Sequence, residues 1–147
     1  MKIYMDNCCY YRPFDDQTQD RILIETDAVL SVISRCDTGD WKLLGSEVLD
    51  YEISKVKDAA KFQKADMLYK AAKTKILLTP EIKQRANELQ QYGIKSMDAL
   101  HLSSAESGGA DVYLTTDDNL IKCAKASNTK MNVTNPVHWI MEVMKNE

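Results

Sequence analysis

Sulfur, imidazole and chain-breaking residues are all scarce in this sequence. The chain has 4 cysteines, 2 histidines, 5 glycines and 3 prolines among 147 residues. Cys8, Cys9, Cys36 and Cys123 form no CxxC pair, and only His101 and His138 are available to join them, which argues against a zinc site. Small reduced thiols are the plainer reading, and they fit an intracellular compartment. No run approaches the ~20 apolar residues of a membrane span. The opening Met-Lys-Ile-Tyr-Met-Asp meets an acid before any apolar run forms, so no signal peptide is expected and the cytoplasm is the expected location. There is no proline-rich linker, repeat or low-complexity segment, which leaves a single domain over residues 1–147.

What is present is an ordinary globular composition, 44% hydrophobic and 28% charged, with a net charge of −3. That small net charge hides an asymmetry. Between Lys55 and Lys95 there are ten Lys/Arg against four Asp/Glu, while the remaining residues carry nine against eighteen. A basic segment beside an acidic one suits a nucleic-acid surface next to a metal-binding cleft. Lys57, Lys61 and Lys64 are the candidates for RNA contact, although on composition alone a solvated helix face explains them better.

Periodicity and punctuation divide the chain into alternating strands and helices. Lys2–Met5 reads as a strand ending on Asp6, followed by a partly ordered connection over 7–16 in which Pro13 keeps Arg12 out of helical geometry. Residues 18–36 form a long amphipathic helix, 41–44 a strand, and Ser46 caps a helix carrying Glu52. A helix over 58–74, a strand over 75–78 and a helix opened by Thr79-Pro80 follow. Ser96 is read as the cap of a helix with Asp98 at its second position, and Gly108-Gly109 as its stop. Val112–Leu114 is a buried strand leading to Asp117, then come a helix over 118–126, a strand over 131–134 and a closing helix over 136–144. This alternation predicts an α/β domain, a parallel sheet with helices on both faces.

Several acids fall where such a sheet binds ligands, beyond the C-terminal ends of its strands. Asp6 and Asp117 follow strands, Asp98 lies in a helix's first turn, and Glu52 lies six residues after Ser46. Converging carboxylates repel one another unless a hard cation neutralises them, and oxygen-only ligands select Mg²⁺ or Mn²⁺. Each acid also has a bland role. Asp6, Asp98 and Asp117 sit at helix starts, where a carboxylate stabilises by roughly 0.3–2 kcal/mol, and Glu52 alone is an ordinary surface acid. Glu47 and Asp50 are turned away from Glu52 by helix spacing. His101 reads as a packed core histidine sooner than a catalytic one, and Trp41 and Trp139 as core. For Arg12, a phosphate contact and a structural salt bridge are equally good readings.

Taken together, Asp6 after the first strand, Ser46-x5-Glu52-Ile53, Asp98-Ala99-Leu100-His101-Leu102-x-x-Ala105, Thr115-x-Asp117 and Thr134-Asn135-Pro136 resemble the PIN-domain family, in order and across nearly the whole chain. The resemblance implies a three-layer α/β/α fold with about five parallel strands in the order 3-2-1-4-5. It also implies an acidic pocket binding one or two Mg²⁺ or Mn²⁺ ions, and hydrolysis of phosphodiester bonds, usually in RNA. Carried over, Asp6, Glu52, Asp98 and Asp117 are the metal-binding and catalytic acids. Thr115 orients Asp117, while Asn7 and Asp118 support the site. Asn7 stands where the family often has Ser or Thr, Asn119 (beside Asp118) where it often has an acid, and Leu120 where an aromatic is common. Small stand-alone members are often toxins neutralised by an antitoxin protein, and homodimers are usual. Two rivals remain: a non-catalytic PIN-like module binding RNA or protein through residues 55–95, and a Mg²⁺-dependent phosphatase. The latter would want an acid two residues after Asp6, where this chain has Cys8.

Overall fold

Five short parallel strands form the middle of the molecule in a computed structural model that describes residues 1–146. They are β1 (Lys2–Met5), β2 (Lys42–Ser46), β3 (Thr74–Ile76), β4 (Val112–Leu114) and β5 (Asn132–Thr134), in the spatial order β3-β2-β1-β4-β5. This is the α/β arrangement and the 3-2-1-4-5 order that the resemblance implied. Among the described residues eight helices accompany the sheet: α1 (Asn7–Tyr11), α2 (Asp20–Asp37), α3 (Glu47–Ser54), α4 (Ala59–Tyr69), α5 (Pro80–Gln90), α6 (Ser96–Ser107), α7 (Asp118–Ala126) and α8 (Pro136–Lys145). A 3-10 turn, Arg12–Phe14, lies between α1 and α2.

The two central strands show why the sheet must be covered on both sides. Side chains alternate faces along a strand, yet Ile3, Tyr4 and Met5 of β1 and Val112, Tyr113 and Leu114 of β4 are all buried. Helices therefore pack on each face, as expected of parallel strands that read as continuous apolar runs. The α2 and α8 helices pack against each other, and so do α5 and α6. Side-chain caps start most helices: Asp6, Ser46, Asp58, Thr79, Asp117 and Asn135 each accept a backbone N–H of the following turn.

The structure departs from the sequence reading at several element boundaries, and β2 runs over Lys42–Ser46 where a strand over 41–44 was expected. Residues 7–14 are helical where a partly ordered connection was expected, and Arg12 is helical (φ −54°, ψ −40°) despite Pro13. Burial of Cys9 and Tyr10 and the Asp6 cap outweigh the proline's local restriction. The α2 helix begins at Asp20 because Thr18 is held in a turn, its N–H and hydroxyl both donating to Asp16 Oδ1. The α4 helix stops at Tyr69, where the chain must leave for β3. That strand ends at Ile76 instead of Leu78, whose N–H donates to Glu47 Oε2 and not to the sheet. Ser96 is already helical, so Lys95 precedes α6 with no side-chain cap and Asp98 is its third residue.

Candidate metal centre

Strand register places the site. In the ladders Tyr4 pairs with Leu44 and Tyr113, and Leu114 pairs with Met5 and Thr134. One or two residues further on, Ser46, Asp6, Thr115 and Asn135 come level in one row across the C-terminal edge of the sheet. Asp6 N–H donates to Leu114 O (2.9 Å) and Thr115 N–H to Thr134 O (3.0 Å), which extends the ladders into this row. Three of the four residues then cap the helix that follows, so each polar side chain is turned to the rim of the sheet.

Asp6 is 6% exposed. Its Oδ1 accepts the Asn7 N–H (2.7 Å) and its Oδ2 the Thr115 hydroxyl (2.9 Å). Asp6, Glu52 and His101 each present a ligand atom, all within 4.8 Å of one another. Glu52 comes from α3, and one of its oxygens contacts His101 Nε2. His101 is fully buried, and its other ring nitrogen meets the Tyr4 hydroxyl at 2.6 Å. The histidine read as core is indeed packed and hydrogen-bonded, but it touches a site acid. The sequence reading also set His101 one turn after Asp98, within reach of the pocket, since residues three apart share a helix face.

Asp98, one turn before His101, is partly buried. Burial first, then the charges of Asp117 and Glu52, lift its carboxyl above the usual range. Asp6 is lifted well above that range by burial, with Cys8 and Asp98 adding to it. Its neighbour Cys8 is lowered to about 6, first by hydrogen bonding with Cys9 and then by Thr116. Among the described residues no lysine or arginine forms an ion pair with Asp6, Glu52 or Asp98. His101, and at Asp98 also Lys95, oppose the rise of these carboxyls without cancelling it. Buried or half-buried carboxylates with no lysine or arginine ion pair, offering oxygens from several elements, fit a hard divalent cation.

The other sequence candidates are placed less uniformly. Asp117 is exposed, and its Oδ1 is occupied by the Asn119 and Leu120 N–H groups at the start of α7. Thr115 serves both acids differently from expectation: its hydroxyl donates to Asp6 and accepts the Asp117 N–H (3.1 Å). Asn7 supports Asp6 through its backbone, while its side-chain Oδ1 is buried without a partner. Asp118 is turned to Arg21, which holds both its oxygens at 2.8 and 2.9 Å. That pair lines a cleft of about 560 Å³ with Glu25, Lys125, Asn135 and His138, which includes none of Asp6, Glu52, Asp98 or Asp117. Arg12 faces inward to Asp15, Glu25 and the Thr116 hydroxyl. Lys61 and Lys64 are exposed on α4, and Lys57 is exposed in the loop before it. Glu47 and Asp50 point away from the pocket, to Leu78 N–H and to Tyr69 and Lys75.

No family model matches the sequence, and no curated protein matches it. Solved structures do. VapBC2 from Rickettsia felis, bound to a DNA fragment from its promoter, aligns with a TM-score of 0.59 at 19% identity, over 92% of this chain and 98% of the other. PAE2754 from Pyrobaculum aerophilum aligns with a TM-score of 0.59 at 15% identity, over 100% and 91%. VapBC-1 from nontypeable Haemophilus influenzae gives 0.55 at 13%, over 92% and 98%. At these identities the likeness is one of fold alone, and it agrees with the PIN-like arrangement that the resemblance implied.

Proposed function

We propose that this chain is a divalent-metal-dependent ribonuclease, hydrolysing RNA phosphodiester bonds at the pocket of Asp6, Glu52, Asp98 and Asp117. The observation that carries the reading is the meeting of Asp6 and Glu52, with Asp98 in the same field, at the C-terminal edge of the sheet with no lysine or arginine paired to them among the described residues. One or two Mg²⁺ or Mn²⁺ ions bound there would polarise the phosphate and lower the pKa of an attacking water. The chain's own groups hold that centre in shape. Thr115 and the Asn7 N–H fix both oxygens of Asp6, so its remaining lone pairs alone face the pocket. Asp117 is fixed at the rim by the first turn of α7. No serine or histidine nucleophile is needed.

The same reading carries a toxin-like role in the cytoplasm, with an antitoxin protein as partner and a homodimer as the assembled form. The described residues include no helix long and apolar enough to cross a membrane. The apolar side chains of Leu23, Ile24 and Leu30 on α2 and Met141 and Met144 on α8 are exposed and available to such partners. Sedimentation of the isolated chain tests the dimer, and a monomer at all concentrations would refute it.

Calorimetric Mn²⁺ titration tests the central claim, paired with cleavage of a mixed RNA substrate. Binding and cleavage are expected in the wild type. RNA binding without metal binding or cleavage would favour the non-catalytic module.

A further inference from the structure

Beneath Glu52 runs a buried line of hydrogen bonds that the proposed chemistry does not by itself require. Ser46 Oγ lies 2.7 Å from the Tyr4 hydroxyl, which lies 2.6 Å from His101 Nδ1, and His101 Nε2 contacts Glu52 Oε1. Ser46, Tyr4 and His101 are all fully buried. The line ties together the elements that carry the acids: Tyr4 stands two residues before Asp6 in β1, Ser46 caps the helix bearing Glu52, and His101 follows Asp98 by one turn of α6.

Counting protons gives the line a direction. Ser46 Oγ already accepts the Leu49 N–H at 3.0 Å. Among the described residues its only other partner is Tyr4. If Tyr4 donated to Ser46, the serine proton would be buried with no acceptor, and an unmade buried hydrogen bond is costly. The serine therefore donates to Tyr4, and the Tyr4 hydroxyl donates its own proton to His101 Nδ1. Nδ1 is then an acceptor, so the neutral ring carries its proton on Nε2 and donates it to Glu52. Every donor in the line is satisfied in this arrangement. With Nε2 occupied by that proton, the ring serves as a hydrogen-bond donor and not as a metal ligand.

We propose that His101 is a positioning residue: Ser46 and Tyr4 fix its Nε2–H tautomer, and it holds one oxygen of Glu52 so that the other alone faces the cation. This rests on the metal-centre reading above. Hydrogen-bond partners that orient a metal-binding side chain are typically worth about 10–100-fold in metal affinity.

The test has a spectroscopic arm and a binding arm. The chain has only 2 histidines, so His138→Asn leaves one imidazole, whose ¹⁵N shifts in metal-free protein report the tautomer directly. A protonated Nε2 and bare Nδ1 are expected, with the preference lost in Tyr4→Phe. An Nδ1–H tautomer in the wild-type sequence context would overturn the proposal. In Mn²⁺ calorimetry, His101→Leu is expected to weaken binding about 10–100-fold. His101→Gln, which keeps an N–H donor at the end of the side chain, is expected to recover most of that loss. Should His101→Leu fail to fold, His101→Gln against Tyr4→Phe carries the comparison, with weaker binding expected in the latter. Unchanged Mn²⁺ affinity in these variants overturns the positioning role alone. A wild type that binds no Mn²⁺, yet shows the expected tautomer, overturns the metal-centre reading and with it the purpose assigned to the line.

Discussion

At the scale of single residues, the clustered acids work against the fold that holds them. Asp6 and Asp98 carry carboxyls raised by burial first and by neighbouring negative charge second. An acid with a raised folded pKa binds more protons folded than unfolded, so stability is greatest below the ordinary carboxylate value of about 4 and falls as pH rises through the raised one. Asp98→Asn removes one such charge. Its melting temperature without metal is expected to exceed that of the wild type, by a margin that widens as pH rises from about 4 toward neutrality. In saturating Mn²⁺ the order should reverse, because the ion stabilises only the protein that binds it. Thermal melts of both proteins in chelator and in Mn²⁺ check this; a variant less stable than wild type in chelator at neutral pH would refute it. The places of Asp6 and Asp117 after strands and of Glu52 six residues after the Ser46 cap were readable in the sequence, whereas Asp98 was read from a cap, Ser96, that the structure makes helical. The work done by Tyr4 and Ser46 was not readable there. A buried tyrosine in a strand looks like core, and only the register that sets Tyr4 beside Leu44, two residues short of Ser46, brings the two hydroxyls together.

At the scale of elements, what the sequence showed poorly was length and ending. The β3 strand was expected to be longer because Ile76-Leu77-Leu78 is a uniformly apolar run, yet Leu77 is 60% exposed and the backbone of Leu78 is satisfied by Glu47. Residues 7–14 lacked a helical stripe long enough to be recognised; their helix is fixed by the Asp6 cap and by tertiary burial. Close approach explains the longer β2. A Cβ on Gly45 would lie 2.9 Å from Thr74 O and 2.9 Å from the Tyr69 hydroxyl, so the strand continues there only because the residue is glycine. Gly45→Ala is expected to cost about 1–3 kcal/mol by overpacking and to loosen β3 and the end of α4 first. Chemical denaturation with hydrogen exchange on Thr74–Ile76 checks both parts. A second element-level device joins the α1–α2 connection to α2 and α8. Glu25, 1% exposed in α2, meets Arg12 at 3.1 Å, Arg21 at 3.1 Å and the Asn135 side-chain amide at 2.6 Å. Arg12→Met leaves that buried carboxylate one cation short, and a loss of about 3 kcal/mol is expected. A cost below about 1 kcal/mol would show that Arg21 and Asn135 suffice.

At the scale of the whole molecule, the fold redistributes the basic excess of residues 55–95 instead of presenting it whole. Lys75 is paired with Asp50, and Arg85 with Glu88 and Glu106. These cations are largely neutralised where they stand. Lys57, Lys61 and Lys64 are exposed in the loop before α4 and along it, with Lys64 lying over the Phe14 ring at 5.7 Å. They follow closely in sequence on α3, the helix that carries Glu52, which makes them candidates within the basic segment for guiding a phosphate backbone. If they do so, the contact is electrostatic and its strength should be set by counterion release. Neutralising all three, Lys57→Ala with Lys61→Ala and Lys64→Ala, is expected to flatten the dependence of log affinity for single-stranded RNA on log salt by about 2, since each phosphate contact contributes roughly 0.7. Mn²⁺ affinity should stay unchanged, because none of the three pairs with a site acid. Fluorescence anisotropy across a salt series, beside calorimetry, separates the two effects. An unaltered slope would return these lysines to the role of a solvated face and move the RNA path elsewhere on the surface. A change in both slope and Mn²⁺ affinity would mean that the basic segment and the acidic pocket act as one electrostatic unit.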